Sequence, residues 1–376
     1  MTAKPTTHET IMTSIPLPIQ DYALLDDEEC EARIIAAKEK LGKRCIVLGH
    51  HYQRNEVFKH ADITGDSLKL SREASESEAE YIVFCGVHFM AEVADILSRP
   101  DQISILPDLA AGCSMADMAN ATNVQKCWDE LSQVIDAECE VTPVTYINSA
   151  ADLKAFCGKH EGIVCTSSNA HKVLEWSFAK REKILFFPDQ HLGRTTGHLM
   201  GIPLEKMVVW DFGKPMGGLT EQQIKDAKII LWSGFCSVHQ VFQPEHIDEF
   251  KEKYPETKVI AHPEACFEVC QKADYIGSTE TILKIVKESE PNTRWLVATE
   301  LNLVNRLHEE CKDQGKNVHF MSSTLSMCST MFRTDPQHLA WVLENLVAGH
   351  VVNQISVEPE EARLAKFALD NMLSIN

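Results

Sequence analysis

Short runs of β-branched and aliphatic residues that end in polar groups alternate along this chain with longer stretches of helical apolar spacing. That alternation predicts parallel α/β units. The pattern recurs three times. In the first pass the apolar runs are 45–52, 61–67, 81–88 and 103–113; in the second, 141–148, 162–168, 184–189 and 229–236; in the third, 258–264, 273–279, 295–300 and 318–328. Each pass keeps one order. Its first run ends in His, Tyr, Asn or Glu, its second beside Ser, its third in a charged or polar group, and its fourth in a small-residue turn closed by Cys113, Cys236 or Cys328.

Ligands of open parallel sheets bind beyond the carboxyl ends of the strands. The expected architecture is therefore α/β, with three similar αβα domains holding short parallel sheets in pseudo-threefold arrangement around a central cavity. Residues 1–26, with Pro5, Pro16 and Pro18, read as a tail, and 27–41 as an acidic helix. The expected units are 27–115, 116–238 and 239–334. The second carries a Gly- and Pro-containing surface excursion over 193–228, with a short helix near 220–227. Apolar spacing predicts helices over 338–347 and 358–373, so 335–376 is expected to pack back on the first unit.

A 44% hydrophobic content over 376 residues supports a sizeable core and excludes global disorder. The net charge of −19 argues against nucleic acid, whose phosphates need a basic face. The first twenty residues lack the basic and apolar regions of a signal peptide, and no uncharged apolar run reaches membrane-span length. The expected location is the cytoplasm, away from membranes, where thiols stay reduced.

Thirteen cysteines are many for such a compartment, and none forms a C-x-x-C pair, which argues against zinc ribbons and thioredoxin-like sites. Cys113, Cys236 and Cys328 differ from the rest in closing the three repeats. Three thiolates on a [4Fe–4S] cluster leave one iron open, a Lewis acid toward substrate oxygen or nitrogen. A tetrahedral zinc site on the same cysteines with His239 is the competitor. The wide spacing of the cysteines favours the cluster, because structural zinc usually takes locally paired ligands. Cys266 and Cys270 share one helix face after Pro263 and read as packed thiols.

Tyr52 and Glu264 suit a general acid and base beside an open iron; a core phenol and a solvated carboxylate are the plain alternatives. His50, His239 and His262 stand at repeat-matched or cysteine-adjacent places. Ser67, Ser167 and Ser278 read either as helix N-caps or as anion sites at helix N-termini.

The segments 49–53, 65–68, 87–92, 146–149, 188–193, 262–264, 277–279 and 298–300 resemble, in order, the landmarks of the quinolinate synthase family. The resemblance runs from about residue 43 to 371. It implies one [4Fe–4S] cluster per chain, held by Cys113, Cys236 and Cys328. It implies a transferase of NAD biosynthesis that condenses iminoaspartate with dihydroxyacetone phosphate to quinolinate, releasing phosphate and two waters. Tyr52 and Glu264 would then move protons, and His50, Ser67, Tyr146, Asn148, Ser167, His239, His262, Ser278 and Thr279 would line the substrate cavity. The resemblance also suggests L-aspartate oxidase as the imine donor and leaves room for a homodimer. An iron–sulfur sensor and a cluster-dependent hydro-lyase are the rival readings; a sensor has no need of both Tyr52 and Glu264.

Overall fold

The structure is a computed structural model that describes residues 15–324 and 326–375. Residues 1–14 of the expected tail lie outside the described residues. The strands are β1 Cys45–His50, β2 Ile63–Gly65, β3 Tyr81–Cys85, β4 Ile103–Ile105, β5 Val141–Tyr146, β6 Ile163–Cys165, β7 Lys183–Phe187, β8 Met207–Trp210, β9 Ile229–Trp232, β10 Lys258–Ala261, β11 Tyr275–Ile276, β12 Arg294–Ala298, β13 Asn317–Phe320 and β14 Gln354–Ile355.

They form three sheets, ordered β14-β4-β3-β1-β2, β6-β5-β7-β9-β8 and β11-β10-β12-β13. With β8 and β14 set aside, every sheet has the same order: second, first, third, fourth strand of its repeat. All pairings are parallel except β14 with β4. Strands covered by helices on both faces become continuous apolar runs, and β3, β7 and β9 are buried at every position.

Helix Asp27–Leu41 begins on the Asp26 carboxylate, which accepts from the Glu29 amide, and carries acids in its first turn and lysines in its last. That distribution suits the helix dipole. The described part of the tail is tied down. The Leu17 amide donates to Asn345 Oδ1 at 2.8 Å, and the buried Tyr22 bonds Glu344.

Two expectations need correction. The stretch 193–228 is not simply a surface excursion. Gly193 belongs to helix Gln190–Leu199, and β8 joins the second sheet beside β9. Trp210 at the end of β8 is 2% exposed and packs over Gly217, whose φ of +61° and missing Cβ leave room for the indole. Only helix Glu221–Asp226, with its Thr220–Gln223 capping box, was expected here.

The two C-terminal helices also part company. Helix Pro336–Val347 packs on helix Asp27–Leu41 of the first unit. Helix Pro359–Ser374 instead buries Ala365, Ala368, Leu369 and Met372 in the core of the second. It approaches so closely that a Cβ on Gly158 would stand 1.9 Å from the Leu364 carbonyl oxygen.

Candidate active site

Each sheet points its carboxyl ends at one cavity, with about 640 Å³ of empty space. After β1 come His50 and Tyr52; after β2, Asp66 and Ser67; in the loop beyond β4, Cys113. The second unit adds Tyr146, Asn148, Thr166, Ser167 and Cys236. The third adds His262, Glu264, Thr279 and Cys328. Twelve of the fourteen residues singled out in the sequence therefore share one wall. His239 and Ser278 are not among the lining residues.

His239 is fully buried directly behind that wall. Its Nδ1 lies 2.8 Å from Glu264 Oε2, and its Nε2 lies 3.4 Å from Thr299 Oγ1. Thr299 Oγ1 is also 2.9 Å from the Tyr52 hydroxyl, which accepts from Thr279 Oγ1 at 3.3 Å. Tyr52 and Glu264 are thus joined through Thr299 and His239 by contacts of hydrogen-bond length. The Tyr146 hydroxyl also meets the Glu264 carboxylate.

Burial sets the protonation of this wall. It pushes the Tyr52 hydroxyl well above its ordinary range, reinforced by the negative charge of Glu264, so the phenol keeps its proton. Burial also pushes His262 down to about 3 and His50 well below its usual value, so both imidazoles stand neutral. The Glu264 carboxyl feels the same upward push, but hydrogen bonds from His239 and Tyr146 help to hold it below its usual range. It is an ionised carboxylate, 3% exposed, facing a protonated phenol.

The serines divide. Ser278 is the N-cap of helix Thr279–Glu288, where its hydroxyl accepts from the Thr281 amide at 3.4 Å. Ser67 is not a cap: Asp66 caps helix Ser67–Glu76 by accepting from the Lys69 amide at 3.0 Å. Ser167 precedes the N-cap Asn169 of helix Ala170–Lys180 and faces the cavity. Asp66, Thr166, Thr330 and Met331, which also line the cavity, were not singled out in the sequence. Asp66 had a signal, since Asp before an amphipathic run marks a helix start. Asn148 Oδ1 is buried without a partner among the described residues.

Burial pushes the Cys113 thiol up to about 12 and raises Cys236 and Cys328 as well. Holding such sulfurs as thiolates takes added positive charge, which a metal centre provides. Separately, the donor atoms of Cys236, His239 and Glu264 lie within 4.8 Å of one another, a group able to hold a metal ion. Cys266 and Cys270 instead point their sulfurs at backbone carbonyls of Phe242, His262 and Ala265.

Three sheets of matched strand order, with Tyr52, Glu264 and three cysteine thiols at their shared carboxyl ends, define an α/β protein of three repeated units around one cavity. The family model described as "Quinolinate synthetase A protein" matches residues 32–374. A quinolinate synthase of Acidobacterium capsulatum is 53% identical over 95% of this chain and 96% of its own length. One of Rhodopirellula baltica is 50% identical over 99% and 97%, and one of Streptomyces coelicolor 52% identical over 93% and 89%. The chain belongs to the quinolinate synthase family of enzymes. Among the described residues, no helix is long and apolar enough to cross a membrane.

Proposed function

We propose that this chain condenses iminoaspartate with dihydroxyacetone phosphate to quinolinate, releasing phosphate and two waters, as a step of NAD biosynthesis. The observation that carries the reading is the meeting of Cys113, Cys236 and Cys328, one from each repeat, in the cavity that also holds Tyr52 and Glu264. The three cysteines would hold a [4Fe–4S] cluster, soft sulfur donors being its usual ligands. When bound, that cluster supplies a Lewis-acidic iron for substrate oxygen or nitrogen.

The side chains do the rest. Glu264, an ionised carboxylate in a dry wall, takes a proton from carbon; Tyr52, a phenol that keeps its proton, gives one to a departing oxygen. His239 and Tyr146 fix the carboxylate, and Thr279 and Thr299 fix the phenol. Ser67, Ser167, Asn148 and the neutral His50 and His262 offer hydrogen bonds to carboxylate and phosphate oxygens.

A mononuclear metal on Cys236, His239 and Glu264 is the second reading, favoured by the closeness of those donors. It would leave Cys113 and Cys328 without a purpose and would occupy the proposed base. The Cys₃His zinc reading is disfavoured because His239 is fully buried behind the wall and is not among the residues that line the cavity with the three cysteines.

The imine is unstable in water, so a neighbouring amino-acid oxidase of the L-aspartate type would supply it. Thirteen free cysteines suit a reducing compartment such as the cytoplasm. The direct test is turnover: anaerobic protein given both substrates should form quinolinate, and formation of neither quinolinate nor phosphate contradicts the reading.

A further inference from the structure

Glu300 is fully buried at the end of β12 and begins helix Leu301–Cys311. Its Oε2 accepts from the Leu303 amide at 3.2 Å, an ordinary cap. Its Oε1 does something else. It accepts from the Cys328 amide at 3.3 Å and from Asn302 Nδ2 at 3.0 Å. Asn302 Nδ2 also reaches the Tyr52 carbonyl oxygen at 3.4 Å. One turn further on, Arg306 donates to the Gln53 carbonyl at 3.0 Å and to the His51 carbonyl. Three consecutive carbonyls of the turn that carries Tyr52, in the first unit, are therefore held by two side chains of one helix in the third unit. The same helix start holds the amide of Cys328.

We infer that Glu300, Asn302 and Arg306 are positioning residues that lock the Cys328 loop and the Tyr52 turn into one register. Tyr52 and Cys328 lie 276 positions apart in the sequence and on different units, yet both must face the same substrate. Among the described residues, neither the loop after β13 nor the turn after β1 belongs to a sheet ladder that would fix it there. A buried carboxylate with one oxygen on the helix and the other on the Cys328 amide and on Asn302, which itself reaches the Tyr52 carbonyl, sets their relative place. Amide hydrogen bonds near a metal-bound sulfur also tune the metal centre.

This inference rests on the cluster reading of Cys328 and the acid reading of Tyr52, and the test separates the two. Anaerobically prepared wild type, Glu300→Leu, Glu300→Gln and Asn302→Ala are compared for iron content, the electron paramagnetic resonance signal of the reduced cluster, its half-life in air, and turnover. Melting curves confirm that each variant is folded.

Glu300→Leu should show a shifted resonance signal, a cluster half-life shortened severalfold, and turnover reduced about tenfold. Glu300→Gln keeps an Oε1 acceptor and should restore the signal and half-life to within about twofold of wild type. Asn302→Ala, at a partly exposed position, should keep the wild-type resonance and lower kcat severalfold, because the Tyr52 tether is cut while Glu300 keeps its bond from the Cys328 amide. Wild type with a full cluster, beside a Glu300→Leu protein of unchanged signal and half-life, overturns this inference alone. So does an Asn302→Ala protein with wild-type kcat. Wild type without iron overturns the cluster reading and the inference with it.

Discussion

His239 Nδ1 stands 2.8 Å from Glu264 Oε2, with the imidazole fully buried and the carboxylate nearly so. This contact places His239 behind the cavity wall, against the Glu264 carboxylate. The same imidazole, through Thr299, reaches the hydroxyl of Tyr52. Tyr52 and Glu264 are thus held by one connected set of side chains.

Tyr52→Phe and Glu264→Gln should each lose about 10²–10⁴-fold in turnover, the usual contribution of a positioned acid or base. Each should retain its iron and still bind quinolinate. Iron content is measured first and kcat second. Near-normal kcat with normal iron in either variant removes that residue from the chemistry; lost iron makes it structural.

The three serines should behave differently. Ser67→Ala and Ser167→Ala should raise KM by an amount equivalent to about 1–3 kcal/mol, if each hydroxyl meets a charged oxygen. Ser278→Ala loses an N-cap and should cost about 1 kcal/mol of stability with little change in KM. Steady-state kinetics and thermal melts on the three variants decide it. A KM effect at Ser278 equal to the other two contradicts the cavity geometry.

Acid should weaken the fold through its buried imidazoles. Burial holds His191 down to about 4, against about 6.5 in an unfolded chain. Between those values the unfolded state binds more protons, so stability rises with pH. The contribution is complete above pH 6.5 and is lost as pH falls toward 4, amounting to about 2 kcal/mol at pH 5. Urea unfolding at pH 7 and pH 5 should show this loss in wild type and a loss smaller by about that amount in His191→Gln. Equal losses in the two proteins contradict it.

The repeat was legible because each strand run ends in chemistry-bearing residues, and cysteine closes every fourth one. Those polar ends became the cavity wall, with β1, β5 and β10 stopping at or just before His50, Tyr146 and His262. β8 escaped notice because four residues between Gly- and Pro-rich turns carry little period, although Trp210 was a signal of burial. The spacing of helix Pro359–Ser374 told which face is buried but not against what, so its docking on the second unit was not readable. Glu300 closes a landmark segment in the sequence, but its link to the cavity, and that of Asn302, was hidden for a related reason. Their partners, Cys328 and Tyr52, are close only in the folded chain.

If Cys113, Cys236 and Cys328 together hold an iron–sulfur cluster, as proposed, elemental analysis of protein purified without oxygen will show it. Such protein should contain about four irons and four sulfides per chain. Ser substituted at any of the three should abolish them, while Cys127→Ser and Cys311→Ser, in hydrophobic cores, should leave them intact. Stoichiometric zinc without iron or sulfide would contradict it.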